Sequence, residues 1–537
     1  MLGPLPASPS VFNICAYFLD RPAAEHSSRA AILGEPSQVT YAELAALAGR
    51  VAGAVTRDGV TQGDRVLIVL PDSAEFVAAF FGVAKTGAIS VPVNPMTREA
   101  DYAHFVRDSG ARLAIVHAMA LMAFLPAAVT LEAIVVVGAG AEMQLRSEMN
   151  CPEMKRWEEW LAPANHESQA CATRATDPAF FLYTSGSGGS PKGAVHAHKD
   201  MLSCARGYAQ GVLGIRAADI TYSVSKLFFA YGLGNAMYFP FSVGAATVLD
   251  PERPRPERTA AILARYRPTV FFSVPTFYAA VLREAGKGLE FDFSSVRLTV
   301  SAGERLPPEI FERFRARFGL EIVDGIGSTE MLQMFLSARP GAIRPGSCGT
   351  PVPGYDAKIL GDAGAPAADG EVGNLWVRGD SAFSGYWNIP GLTTRVKDGE
   401  WVLTGDKFQR DSDGYYHYCG RADDMMKVAG QWVSPGEVEN ALLGHSMVAE
   451  AAVVALLDET GLERPLAFVV LREGSGAVAE VAEELREFVR GRLPGYKCPC
   501  EVRFLEALPK TATGKIQRFL LREACRRRHF PRGMKCG

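Results

Sequence analysis

Apolar residues in the first third of the chain recur with two different periods. Thr40 and Glu43 make the Thr-x-x-Glu signature of a capped helix start, and Leu44, Leu47, Val51 and Val55 then return at the spacing of one helical face. Arg65 to Leu70 is instead a short unbroken apolar run, Ser73 to Lys85 is helical again, and Ala88 to Val93 is a second run ended by Asn94-Pro95. Ala111 to Ala139 is the most apolar stretch, but Arg112, His117, Pro126 and Glu132 interrupt it, so it reads as strand, helix, strand rather than as a membrane span. Ala179 to Tyr183, Ala245 to Leu249 and Thr269 to Val274 repeat the strand pattern, and Glu257 to Tyr266 repeats the helical one. This alternation predicts an α/β fold with a mostly parallel sheet covered on both faces.

The texture changes after about residue 345. Turn signals become dense at Pro345-Gly346, Pro353-Gly354 and Asp413-Gly414, and the strands between them are short, such as Asn374 to Val377 and Tyr415 to Tyr418. A small antiparallel or barrel-like β subdomain over about 345–420 is the expectation. Beyond Gly420-Arg421, strand-like Ala451 to Leu457, Leu466 to Leu471 and Glu501 to Phe504 flank a helix over Val478 to Leu493. These elements suffice for a separate α+β domain.

Composition narrows the field. A chain of 537 residues with 48% hydrophobic residues buries enough for two or more domains. A net charge of -3 gives no field that would draw nucleic acid, and the one basic run, Arg526 to His529, reads as a solvated tail. The ten cysteines are scattered without a C-x-x-C, which fits reduced thiols in a cytoplasmic protein better than disulfides or a zinc site. The start of the chain lacks the charged and apolar regions of a signal peptide.

The candidate chemistry begins at "YTSGSGGSPKGAVHAH", Tyr183 to His198. Glycines let backbone N–H groups approach an anion, and Ser and Thr hydroxyls and a Lys add donors, so Thr184, Ser185, Gly186, Ser187, Gly189 and Lys192 suit a polyphosphate. The spacing is not that of a P-loop, because no G-x-x-x-x-G-K-[ST] occurs here.

Three further stretches follow: "DGIGSTE" (Asp324 to Glu330), a long segment from Trp401 to Glu439 containing "TGDKF", "GRADD" and "KVAGQWVSP", and "PKTATGKIQR" (Pro509 to Arg518). Together with the first loop they resemble the signatures of the adenylate-forming superfamily, which includes acyl-CoA synthetases, peptide-synthetase adenylation domains and luciferases. The resemblance covers nearly the whole chain. It implies a large N-terminal domain of stacked α/β sheet subdomains with the small β subdomain, residues 1–422, and a small mobile α+β domain, residues 423–537, with the hinge at Asp423. It implies that Thr329 contacts the α-phosphate, that Glu330 helps hold Mg²⁺, that Gly303, Glu304, Asp324 and Gly325 line the nucleotide, that Asp406 and Arg421 take the ribose, and that Lys515 is the catalytic lysine. Lys427, Gly430 and Trp432 fall where the family binds coenzyme A.

"KLFFAYGLGNAMYFPFSVGA" (Lys226 to Ala245), "VSAGERLP" (Val300 to Pro307) and "GIGSTEML" resemble benzoate-CoA ligases in particular. Phe229, Ala230, Tyr231, Gly232, Ile326, Gly327 and Gln333 are the candidates for an aromatic acid pocket, and Phe228 reads as core packing. The sequence departs from the pattern at Gly188, where most members have Thr, at Ile326, often aromatic elsewhere, and at Gln333, where a benzoate ligase has His. An amide that both donates and accepts favours an ortho amino or hydroxyl group, so 2-aminobenzoate stands beside benzoate as a candidate. The implied enzyme is an acid-thiol ligase using ATP, Mg²⁺ and coenzyme A and releasing AMP and pyrophosphate. A separate carrier protein is the alternative acceptor, and retention of Lys515, Glu330 and Asp406 argues against a non-catalytic nucleotide binder.

Overall fold

The computed structural model describes residues 9–35, 38–138, 152–164, 169–184, 190–428, 431–457, 462–472, 478–510 and 516–527, and for residues 478, 479, 526 and 527 the backbone only. Ser185, Gly186, Ser187, Gly188, Gly189, Gly430, Lys515 and the end of the basic tail lie outside the described residues. The chain divides into two compact units, Met1–Asp356 with Val377–Val402, and Ala357–Trp376 with Leu403–Gly537. That division reflects compactness, whereas the expected 422/423 boundary concerns motion about Asp423.

The first unit holds two sheets. One has eight strands in the order Gly385–Tyr386, Lys192–Ala197, Pro178–Thr184, Ile89–Pro92, Arg65–Val69, Leu113–His117, Ala133–Val137, Glu153–Arg156. Its six strands from Pro178–Thr184 onward run parallel, and the two at the other edge are antiparallel additions. The other sheet has nine strands, and six of them, Ile322–Gly327, Leu298–Ser301, Val270–Ser273, Ile220–Ser223, Ala246–Val248 and Ala30–Leu33, form a parallel run. The predicted α/β pattern holds, with the strands of the apolar runs buried on both faces as parallel sheets require.

The capped start expected at Thr40 is present. Thr40 Oγ1 accepts from Glu43 N while Glu43 Oε2 accepts from Thr40 N, and the helix Tyr41–Arg57 follows. The helix Ala74–Lys85, with Ser73 as its cap, has ten buried residues, which explains why its sequence is apolar all round. Phe80 meets Phe180 of the first sheet, and Phe81 meets Phe241 of the segment that leads into the second. The helix is thus an internal spacer of the first unit.

Two strands inside the expected β-rich span join other sheets. Thr350–Pro351 pairs with Met334–Ser337 in the nine-stranded sheet, and Gly385–Tyr386 pairs with Lys192–Ala197 in the eight-stranded one. Two-residue strands carry no periodicity, so neither was legible. In the second unit, Val448–Leu457, Glu463–Leu471 and Glu501–Phe504 form a three-stranded sheet, with the helices Pro435–Leu443 and Val478–Arg490 supplying Val438, Leu442, Leu485 and Val489 to its core. No described helix is long and apolar enough to cross a membrane.

Candidate active site

The phosphate-loop candidate is the connection of a hairpin. Pro178–Thr184 and Lys192–Ala197 pair antiparallel, and their last pair before the connection is Thr184 with Lys192. Three contacts fix this end of the hairpin: Tyr183 donates its hydroxyl to Asp108 Oδ2 (2.8 Å), His104 Nε2 bonds the Pro191 carbonyl (2.7 Å), and Trp387 N donates to Gly193 O (2.8 Å). Such a connection, at the carboxyl end of a strand in a parallel sheet, is where α/β folds receive ligands.

Thr329 and Glu330 lie on a short 3₁₀ turn, Thr329–Met331, after the strand Ile322–Gly327. Ser328 caps the turn by accepting from Met331 N, and Leu332 ends it at φ 64°, a value unusual for a β-carbon-bearing residue. Tyr386 donates its hydroxyl to Glu330 Oε1 at 2.6 Å, and its ring lies 5.7 Å from Lys192 Nζ. One tyrosine therefore joins the expected metal ligand to the expected phosphate lysine. Among the described residues no group of three or more side chains is arranged to hold a metal ion. A single acceptor-only carboxylate of this kind fits Mg²⁺, which keeps most of its waters or takes substrate phosphates.

The aromatic candidates converge at the carboxyl ends of the nine-stranded sheet. After the strand Ile220–Ser223 the chain enters the turn Ala230–Leu233, where Phe229 and Tyr231 are half-buried and Phe228 is buried. Phe228 and Phe229 meet edge to face at 4.7 Å. Tyr231 donates its hydroxyl to Ser273 O at 3.2 Å, at the end of the neighbouring strand, and burial pushes that hydroxyl well above its ordinary pKa. A β-carbon on Gly232 would run into the carbonyls of Ser225 and Lys226, so the turn admits only glycine there. Gln333 is buried, and its Nε2 donates to the carbonyls of Ala230 (3.3 Å) and Tyr231 (3.1 Å), the amide orientation being the one the bonding network assigns. Gly327 presses against the Gln333 carbonyl, again leaving no room for a side chain.

Ser273, Ser301 and Asp324 are successive register partners on adjacent parallel strands. Ser273 Oγ, Ser301 Oγ and Asp324 Oδ1 are buried without hydrogen-bond partners among the described residues. Burial pushes the Asp324 carboxyl up to about 8. Gly303, at φ 86°, and Glu304, which accepts from Thr276 Oγ1 at 3.4 Å, follow Ser301 at the same strand end, and Gly325 and Ile326 follow Asp324.

The remaining candidates belong to the second unit. Asp406 and Arg421 are partners across the strands Trp401–Arg410 and Tyr416–Arg421, and Arg421 Nη1 donates to Asp406 Oδ1 at 3.1 Å. Asp423 is followed by Asp424, which pairs with Arg522 and, at 3.9 Å, with Arg518. Lys427 and Trp432 face one another across the pair Met426–Val428 and Gln431–Val433, with Lys427 Nζ 5.4 Å from the indole. Lys407 stands 4.7 Å from the same indole and was not anticipated. Nor were Tyr386, Asp200 or Ser381, which fall in no motif, or His196, which lies within the first loop's stretch but shows no sign there of its role. The one available signal was alternation, which sets His196 on the same face of its strand as Lys192 and Ala194.

Two family models match this chain: that of the AMP-binding enzyme over residues 19–387, and that of the AMP-binding enzyme C-terminal domain over residues 437–515. A benzoate–CoA ligase of Thauera aromatica is 42% identical over 506 residues, which are 93% of this chain and 94% of the relative. Among solved structures, an anthranilate–CoA ligase in complex with anthranoyl-AMP matches with a TM-score of 0.89 at 37% identity, over 97% of this chain and 98% of that one. A benzoate–CoA ligase from Burkholderia xenovorans LB400 matches with a TM-score of 0.85 at 41% identity, over 95% and 100%. These matches bear out the resemblance drawn from the four motifs, and the chain belongs to the AMP-binding enzyme family.

Proposed function

We propose that this chain is an AMP-forming aryl–CoA ligase whose acid is benzoate or 2-aminobenzoate. The observation that carries this reading is the bond from Gln333 to the carbonyls of Ala230 and Tyr231. It fastens the aromatic turn to a residue only three positions beyond Glu330, which supports setting a flat acid beside the turn proposed for the phosphate.

In the first step a carboxylate oxygen of the acid attacks the α-phosphorus of ATP, the bond from that phosphorus to the β-bridging oxygen breaks, and pyrophosphate leaves with the electron pair. Charge developing on the phosphoryl oxygens is met by the Thr329 hydroxyl and the Lys515 ammonium, and Lys192 with its hairpin binds the departing phosphates. Bound at Glu330, Mg²⁺ would neutralise phosphate charge. Phe229, Tyr231, Gly232 and Gly327 enclose the ring and exclude water. Asp406 and Arg421 hold the ribose. In the second step the thiol sulfur of coenzyme A attacks the acyl carbon, its proton passes to solvent, and AMP leaves. The segment 423–537 turns about Asp423 between the steps, withdrawing Lys515 and presenting Lys427, Gly430 and Trp432 to coenzyme A.

Acid-dependent exchange of pyrophosphate into ATP, run with a panel of substituted benzoates, tests both activity and acid class. Lys515→Ala should abolish exchange while leaving transfer of a supplied aroyl adenylate to coenzyme A. Exchange at full speed in that variant would sink the reading.

A further inference from the structure

Three consecutive carbonyls of the turn Thr329–Met331 are each taken by a donor from another part of the first unit. His196 Nε2 holds the Thr329 carbonyl at 2.7 Å, Phe383 N the Glu330 carbonyl at 2.7 Å, and Ser381 Oγ the Met331 carbonyl at 2.8 Å. Backbone amides and hydroxyls are common clamps. A fully buried imidazole is not, because it costs more to desolvate than an apolar side chain.

The protons on that ring follow from its partners. A carbonyl only accepts, so Nε2 carries hydrogen. Nδ1 lies 2.8 Å from Asp200 Oδ2, and Asp200 is itself buried, with Oδ2 also accepting from Ala197 N at 3.0 Å. Nδ1 and the carboxyl therefore share a hydrogen, and that link holds the ring with its Nε2–H aimed at Thr329. Phe180 stacks on the ring at 5.2 Å and an angle of 19°, which fixes its plane.

His196 also lies on the strand Lys192–Ala197, four residues beyond Lys192. The strand thus carries a phosphate lysine at one end and the clamp on the Thr329–Glu330 turn near the other. Tyr386 closes the circuit from Lys192 to Glu330. We propose that His196, held by Asp200, is a positioning residue for adenylation: it sets the Thr329 hydroxyl and the Glu330 carboxylate against the phosphates cradled by its own hairpin. This rests on the roles given above to Thr329 and Glu330.

Asn and Gln in place of His196 separate the two links of the ring. An Asn amide reaches about as far as Nδ1 and keeps the Asp200 contact only, whereas a Gln amide reaches about as far as Nε2 and can donate to the Thr329 carbonyl. His196→Asn should lower kcat for acid-dependent exchange about 10- to 100-fold, the loss typical of a group that orients a metal or phosphate ligand, with the KM for the acid within about twofold. His196→Gln should recover to within about threefold of the unaltered enzyme. Calorimetric titration with ATP in the absence of acid supplies a second readout: the gain in affinity on adding Mg²⁺ should shrink about tenfold in His196→Asn and persist in His196→Gln. Ser381→Ala, which loosens the same turn without touching the buried histidine, should move exchange and the Mg²⁺-linked gain in the same direction, and it keeps the test open if His196→Asn does not fold. Equal losses in the Asn and Gln variants, or a loss that follows the acid KM or the melting temperature, would overturn the proposal. Thr329→Val and Glu330→Gln separate this from the underlying reading. If they leave exchange intact the reading itself fails, and if they abolish it while His196→Asn and Ser381→Ala are silent, only the role of His196 does.

Discussion

Tyr386 and Glu330 are joined by a 2.6 Å bond in which the phenol donates to one carboxylate oxygen. In the role proposed for Glu330, the bond orients a carboxylate that presents its other lone pairs to a hydrated cation. Tyr386→Phe keeps the ring beside Lys192 and removes the hydroxyl that donates to Glu330. Half-saturation by Mg²⁺ in the exchange reaction should rise about tenfold, as expected when a ligand loses the partner that orients it. Thermal stability should change little, because Glu330 and Tyr386 are each only partly buried. A titration of rate against Mg²⁺ at saturating ATP checks this.

Gln333 spends both N–H groups on the backbone carbonyls of Ala230 and Tyr231, and its Oε1 accepts only from its neighbour Met334 N at 3.3 Å among the described residues. A second lone pair of Oε1 is thus left for an ortho amino group. Gln333→His should lower the ratio of kcat/KM for 2-aminobenzoate over benzoate about fivefold to tenfold, the worth of one hydrogen bond. Gln333→Met, which strands both carbonyls, should lower both values together. An unchanged ratio in Gln333→His would remove Oε1 from acid recognition.

The contrast between Gln333 and His196 shows how much was legible in the amino-acid order alone. His196 lies inside the first loop's stretch without a sign of its role, whereas Gln333 directly follows "GIGSTEML" and its departure from His is plain from the residues themselves. Its engagement with two carbonyls is not, because that depends on the turn at Ala230 being brought up from a hundred residues away. The strands Arg65–Val69, Val270–Ser273 and Glu501–Phe504 and the capped helix after Thr40 are readable, since each is long enough to show a period or carries its own cap. Tyr386 lies on a strand of two residues and Ser381 on no strand at all. Their importance comes entirely from tertiary hydrogen bonds, which leave no local pattern.

Asp406 is nearly buried and faces Arg421, which also donates to Thr404 O at 3.1 Å. With its charge held in place, the carboxylate is poised to accept from two hydroxyls at once. Asp406→Asn should raise the KM for ATP about tenfold or more and leave the KM for the acid alone. Replacing ATP by 2′-deoxy-ATP should cost the unaltered enzyme heavily and the variant less, because in its proposed role Asp406 reads the missing hydroxyl. A penalty of the same size in both proteins would place the ribose elsewhere.

Asp324 offers a test by pH. Its carboxyl is pushed up to about 8 by burial, against 3.8 for an ordinary Asp, so the folded chain holds a proton that the unfolded chain releases. Between about pH 4 and 8 the unfolded state therefore binds fewer protons than the native one, and stability falls as pH rises. Asn cannot titrate, so this proton linkage is absent from Asp324→Asn. Between pH 5 and pH 8 Asp324→Asn should therefore lose less stability than the unaltered protein, by a few kcal/mol at about 1.4 kcal/mol per pH unit. Urea midpoints at the two pH values measure the difference. An equal change of stability between the two pH values in both proteins would mean that Asp324 holds no extra proton in the fold.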